Sequence, residues 1–194
     1  MMQKKIKYLT LSAVMVAAAV VLSFLSKVIP APWLQGGNIT LASAVPILAV
    51  SLICGTRWGL LSSVVYGIFQ MMIGFYPPPT QNAGSFFLVI FSDYLLAYGV
   101  YGTANVFYKR MQKSRTAVVV SGSIALLLRY ACHILSGILI WGGYAAPGQS
   151  VLAYSIGYNG SYMIPETILT AVVLAVLTPL LLRLRRRFQG KAPG

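Results

Sequence analysis

The sequence predicts an all-α integral membrane protein with six transmembrane helices and both termini in the cytoplasm. Three observations carry that prediction. Of 194 residues, 58% are apolar and 9% charged, with a mean hydropathy of +0.77; a soluble domain of this length cannot hide so much apolar surface. The apolar residues form six stretches divided by short polar loops. Basic residues gather in alternate loops, as the positive-inside rule asks of cytoplasmic edges.

The stretches run Tyr8–Ile29, Ile39–Cys54, Trp58–Tyr76, Ser85–Tyr108, Thr116–Trp141 and Ser161–Leu184. A helix crosses the hydrocarbon with roughly 20 residues, so the second is short and needs flanking polar residues to complete it. The short loops leave a single membrane domain over residues 1–194. Lys4–Lys7 and the small residues Ala17–Ala19 imitate a signal peptide. The apolar run continues through Leu25, however, and cleavage would leave an odd number of spans. A retained first helix is expected.

Lys4, Lys5 and Lys7 precede the first span, and Arg57 separates the second from the third. Lys109, Arg110, Lys113 and Arg115 separate the fourth from the fifth, and Arg183, Arg185, Arg186, Arg187 and Lys191 close the chain. The opposite loops hold only Lys27. The formal charge of +13 therefore reports topology and contact with the lipid bilayer. Nucleic acid is excluded as a partner, because the charges are split among short edges rather than gathered on one face with stacking aromatics. Cys54 and Cys132 lack the spacing of a disulfide pair or a zinc site, so no metal or cofactor is expected. No GxxxxGK[ST] phosphate loop occurs, so any nucleotide hydrolysis must come from a partner.

Only two acids remain, Asp93 and Glu166, and both lie inside apolar stretches. An ionisable group at membrane depth is costly, faces a bundle interior or wet cavity, and marks a functional path. For Glu166, just past Pro165, ligand contact and a structural hydrogen bond are equally consistent. In the fifth span Arg129, His133, Gly137 and Trp141 recur every four residues, forming one drifting stripe on a helix. A lone histidine on an apolar helix is often a packing residue. Aligned with an arginine, a glycine and a tryptophan, it reads as part of a cavity wall. Arg129 offers a counter-ion for Asp93 or Glu166. The outward loops, 30–38, 76–84 and 142–160, are nearly uncharged and rich in aromatic, Gly, Pro and amide residues, which suits a flat, polar-edged ligand.

At these residues the chain resembles the thiamine-specific substrate-binding component of energy-coupling-factor vitamin transporters. The resemblance rests on Leu128-Arg-Tyr-Ala-Cys-His-Ile-Leu-Ser-Gly, Trp141 and Ala153-Tyr-Ser-Ile-Gly-Tyr-Asn-Gly-Ser-Tyr-Met-Ile-Pro. It extends upstream to Gln35-Gly-Gly-Asn-Ile-Thr, Pro46, Arg57-Trp-Gly and Asp93-Tyr-Leu-Leu-Ala-Tyr. It implies a bacterial cell-membrane protein that is not an enzyme. Such a protein captures thiamine with high affinity from outside and docks on a shared module of one coupling membrane protein and two ATPases. The family's acid–tyrosine pair at the start of helix four falls on Asp93 and Tyr94. Its basic residue and histidine of helix five fall on Arg129 and His133, followed by Gly137 and Trp141. The tyrosine and asparagine before helix six fall on Tyr154 and Asn159; Trp33 and Glu166 are further candidates. Docking falls on the small residues Ala13 and Ala17 of the first helix, whose spacing permits close helix approach.

These residue types suit the ligand. A thiazolium is a permanent cation that favours a carboxylate and an aromatic face, and an aminopyrimidine offers edges that Trp, Asn, Tyr and His can stack on and read. Two departures stand out. Asp93 replaces a glutamate of some members, and residues 38–43 lack the acid that some carry near the start of helix two. Rival readings are the same architecture with another vitamin or a pyrimidine precursor, a proton-coupled carrier, and an intramembrane enzyme.

Overall fold

In the computed structural model the described residues are 2–28, 32–33 and 36–190, and they form helices without a strand. Ile29, Gln35 and Lys191 lie outside them. The helices are α1 (Met2–Ser26), α2 (Ala44–Cys54), α3 (Thr56–Gly74), α4 (Ala83–Arg110), α5 (Arg115–Leu139) and α6 (Val151–Gln189). By length and composition α1, α4, α5 and α6 can each cross a membrane.

Each helix follows from its sequence. Every residue of α2 is buried, which explains why so short a segment is apolar all round: it runs through the middle of the bundle. The α2–α3 corner turns at Gly55 with φ of 100°, a conformation that favours glycine. Asn82 caps α4 by accepting the Ser85 N–H at 2.9 Å, and Ser114 caps α5 by accepting the Ala117 N–H at 3.1 Å. Outward-facing Val14, Phe24, Leu61, Met72, Val172 and Val176 are exposed, as lipid contact requires.

Helices approach closely where small residues meet. A Cβ on Gly102 of α4 would stand 2.5 Å from the Leu60 backbone of α3. Ser51 of α2 donates to the Gly102 carbonyl at 2.7 Å and accepts the Asn105 N–H at 3.2 Å. At one end of the bundle α6 caps α2: Arg185 donates to the Leu52 carbonyl and to Asn105 Oδ1, and Gln189 donates to the Ile53 carbonyl. These bonds satisfy carbonyls that a helix end leaves without partners. Tyr8 stacks on Phe188 beside Trp58, and the Arg185 guanidinium lies 4.7 Å from the Tyr108 ring centre. The basic ends of α1, α3, α4 and α6 thus share one end of the molecule.

Several expected boundaries move, and helix α2 begins at Ala44 rather than Ile39, without the polar flank expected to lengthen it. Helix α6 begins at Val151 rather than Ser161, so Tyr154 and Asn159 sit on its first turns, not in a loop before it. Polar residues are helical here because α5 supports them: Ser155 donates to the Ile134 carbonyl at 2.9 Å, and Asn159 donates to the His133 carbonyl at 3.2 Å. Asp93 lies well inside α4 rather than at its start, where Ile90–Leu96 widens into a π-helix.

Candidate functional site

A polar cavity occupies the end of the bundle opposite the basic cluster. Asp93, Tyr94, Arg129, His133, Gly137, Trp141, Tyr154 and Asn159 all line it. Local helix geometry brings them together. The stripe of α5 supplies Arg129, His133, Gly137 and Trp141, and α6 crosses it closely enough that a Cβ on Gly137 would stand 2.0 Å from Ser155 Oγ. Gly137 therefore serves helix approach as well as leaving room. The π-helical turn aims Asp93 at α5, a use that matches the frequent placement of such turns at functional sites.

Asp93 accepts three hydrogen bonds. His133 Nδ1 lies 3.0 Å from Oδ1, while Ser136 Oγ and Trp141 Nε1 donate to Oδ2 at 2.5 and 3.1 Å. His133 faces Arg129 on its other side, where Arg129 Nε–H donates to His133 Nε2 at 3.2 Å. A nitrogen that accepts carries no hydrogen, so in the neutral ring the proton sits on Nδ1 and points at Asp93. Arg129, His133 and Asp93 form one donating chain that ends on the carboxylate.

The expected ion pair between Arg129 and an acid is absent among the described residues. Arg129 instead donates to the hydroxyls of Tyr101 at 2.6 Å and Tyr98 at 2.9 Å, with its guanidinium 4.2 Å from the Tyr98 ring centre. Phenol oxygens and a π-face supply what a carboxylate was expected to supply. Glu166 also lies apart from Arg129. It is 1% exposed and sits behind the cavity wall, where Thr40 donates its N–H and hydroxyl to the two carboxylate oxygens at 2.7 and 2.8 Å. Trp33 is not among the cavity residues either: its Nε1 donates to Ser161 at 2.5 Å, and its ring meets Tyr162 edge-on.

The other candidates have defined tasks. The Tyr94 hydroxyl donates to the Gly74 carbonyl at 3.0 Å and accepts the Tyr76 N–H at 3.1 Å, tying α4 to the end of α3. Asn159 donates to the His133 carbonyl at 3.2 Å and accepts the Tyr162 hydroxyl at 2.5 Å. Tyr154 stacks on Tyr158 at 5.7 Å, and its buried hydroxyl has no hydrogen-bond partner among the described residues. Ala13 and Ala17 are exposed on α1, away from its buried stripe of Ser12, Val16, Ala19 and Ser23.

Sequence reasoning missed Ser136, Tyr98, Tyr101, Tyr76, Gln70 and Thr40. Ser136 follows His133 by three residues and so shares its face, a signal that was available. Tyr98 and Tyr101 follow Tyr94 by four and seven residues and share its face, but only the packing of α4 on α5 brings them to Arg129.

An all-helical bundle with a polar cavity at one end and lipid-facing apolar flanks defines a multi-pass membrane protein of the bacterial cell membrane. Residues 9–186 match the thiamine transporter protein family, and the chain belongs to that family, which is one of transport proteins rather than enzymes. It is 33% identical over 177 residues to the thiamine transporter ThiT of Bacillus subtilis, covering 85% of this chain and 86% of that protein. It is 29% identical over 132 residues to the thiamine transporter ThiT of Lacticaseibacillus paracasei, covering 63% of this chain and 60% of that protein. The fold resembles the solved structure of ThiT from Listeria monocytogenes with a TM-score of 0.70 at 20% identity, covering 94% of this chain and 98% of that one.

Proposed function

We propose that this chain captures thiamine in the cavity with high affinity and delivers it across the membrane as the substrate-binding component of an energy-coupling-factor transporter. In this reading residues 1–194 are one domain with six crossing helices and cytoplasmic termini. Asp93 faces the thiazolium cation. Trp141 and Tyr154 supply aromatic surface and a hydroxyl, and His133, Arg129, Tyr94, Gly137 and Asn159 hold the wall in shape. The observation that carries the reading is the Asp93 carboxylate: a cavity-lining anion at membrane depth whose three hydrogen-bond donors are all neutral groups of the protein. Such a group holds its negative charge ready for a cation. The Tyr154 hydroxyl, without a hydrogen-bond partner among the described residues, supports the same reading, since buried polar atoms ordinarily have partners.

Glu166 and Trp33 take supporting roles, because neither reaches the cavity. Ala13 and Ala17 form the docking face for a coupling membrane protein that works with two ATPases. Thiamine uptake into proteoliposomes holding this chain and its coupling module tests the proposal. Uptake is expected to require ATP hydrolysis and to persist when the proton gradient is collapsed. Uptake driven by the proton gradient without ATP would assign the chain to the carriers instead.

A further inference from the structure

Glu166 ends a directed chain of hydrogen bonds that starts on the cavity wall. When ionised, its carboxylate can only accept, and it is paired with no cation among the described residues. The single hydroxyl hydrogen of Thr40 is therefore spent on Glu166 Oε1, at 2.8 Å. Thr40 Oγ1 in turn accepts from Ser43 Oγ at 2.6 Å. With that hydrogen used, Ser43 accepts from the Tyr66 hydroxyl at 2.6 Å, and Tyr66 accepts from Gln70 Nε2 at 2.8 Å. The Gln70 carboxamide, which also faces the Tyr98 hydroxyl, is oriented with its Oε1 accepting from Ser23 Oγ at 2.8 Å. Every member is buried, and Ser23, Thr40 and Gln70 line the cavity.

Because each hydroxyl carries one hydrogen, the whole chain has one consistent direction when its end is an anion. We infer that Glu166 sets the hydrogen-bonding sense of the cavity wall: it makes Ser23 turn its hydrogen inward to Gln70 and present only lone pairs to a ligand. Glu166 is then a specificity-determining positioning residue that touches no ligand. With glutamine at position 166, Oε1 takes the Thr40 N–H and Nε2 donates to the Thr40 hydroxyl. The chain then runs Thr40 to Ser43 to Tyr66 to Gln70 Oε1. The Gln70 carboxamide turns over, Nε2 donates to Ser23, and the Ser23 hydrogen is released toward the cavity. An acceptor becomes a donor, while size and hydrophobicity stay the same.

The inference rests on the proposed function only in that a ligand reads this wall, so its first test uses ligand-free protein. The Gln70 side-chain amide is followed by NMR in glutamine-labelled protein and assigned by its loss in Gln70→Leu. Glu166→Gln is expected to move that resonance, and Tyr66→Phe, which cuts the chain midway, is expected to abolish the difference between Glu and Gln at position 166. Should Glu166→Gln fail to fold, Ser43→Ala cuts the chain nearer the carboxylate and must move the same resonance.

The second test measures Kd for thiamine and for its 4-oxo analogue, in which an amino donor is replaced by a carbonyl acceptor. Glu166→Gln is expected to change the ratio of the two affinities about tenfold, the scale of one matched hydrogen bond becoming mismatched. That change should vanish in the Tyr66→Phe background. An unmoved Gln70 resonance, an unchanged ratio, or a ratio change that survives Tyr66→Phe overturns the inference and leaves Glu166 as a local clamp on Thr40. If the resonance behaves as expected while wild-type protein binds neither compound, the proposed function fails and the control of the wall by Glu166 stands.

Discussion

Arg129 Nε stands 3.2 Å from His133 Nε2, one helical turn further along α5, and that bond decides which ring nitrogen of His133 carries the proton. The consequence reaches Asp93, which receives the Nδ1 hydrogen at 3.0 Å. A buried arginine thus acts on the cavity carboxylate through a neutral imidazole rather than by direct charge pairing.

Replacing Arg129 by Met should therefore cost both stability and binding. The hydroxyls of Tyr98 and Tyr101, both buried, lose a donor, at about 1–3 kcal/mol for each group left unsatisfied. His133 is freed to adopt the other tautomer, so thiamine affinity should fall as well. Thermal unfolding and ligand titration of the purified variant in detergent check the two effects. Arg129→Lys should be intermediate, because a single ammonium cannot reproduce the planar fork that meets two phenols and a ring nitrogen. Wild-type stability and affinity in Arg129→Met would remove Arg129 from this role.

Gly137→Ala tests how closely α5 and α6 must meet. The added methyl would stand 2.0 Å from Ser155 Oγ and 2.8 Å from Ser155 Cβ, and overpacking of this kind costs about 1–3 kcal/mol. A lowered unfolding temperature is expected, with partial recovery when Ser155→Gly is added. A stable single variant with unaltered binding would show that the crossing tolerates a wider gap.

Much of the bundle and of the cavity was legible in the sequence, for a reason visible in α5. Residues four apart on one helix share a face whatever surrounds them, so the stripe from Arg129 to Trp141 needed no tertiary information. Partners across helices did need it. A carboxylate was the natural expectation for Arg129, yet the packing of α4 on α5 supplies two tyrosine hydroxyls instead. Glu166 left two readings open because its partner, Thr40, lies in a segment before α2 that has no periodic pattern of its own. The early start of α6 was hidden by Gly157, Asn159 and Gly160, which read as a loop; contact with α5 supports the helix there, through Asn159 donating to the His133 carbonyl and Tyr130 donating to the Ile156 carbonyl.

Docking is separable from binding. Ala13 and Ala17 are exposed on α1 and are not among the cavity residues, so Ala13→Trp with Ala17→Trp should abolish uptake by the coupled transporter while leaving thiamine affinity within about twofold. A bulky side chain prevents the close approach that small residues permit. Normal uptake by the double variant would move the docking face elsewhere.

Titration of purified Asp93→Asn with thiamine, with Trp141 fluorescence as the readout, tests most directly whether the Asp93 carboxylate holds a cationic ligand. Asparagine keeps the size and removes the charge. Losing one partner of a desolvated charge pair costs about 2–5 kcal/mol, so affinity should fall roughly thirty-fold to several thousand-fold. An uncharged analogue with a neutral ring in place of the thiazolium should lose far less. Equal losses for the charged and uncharged ligands in folded protein would contradict the account and make Asp93 a structural acceptor for His133, Ser136 and Trp141.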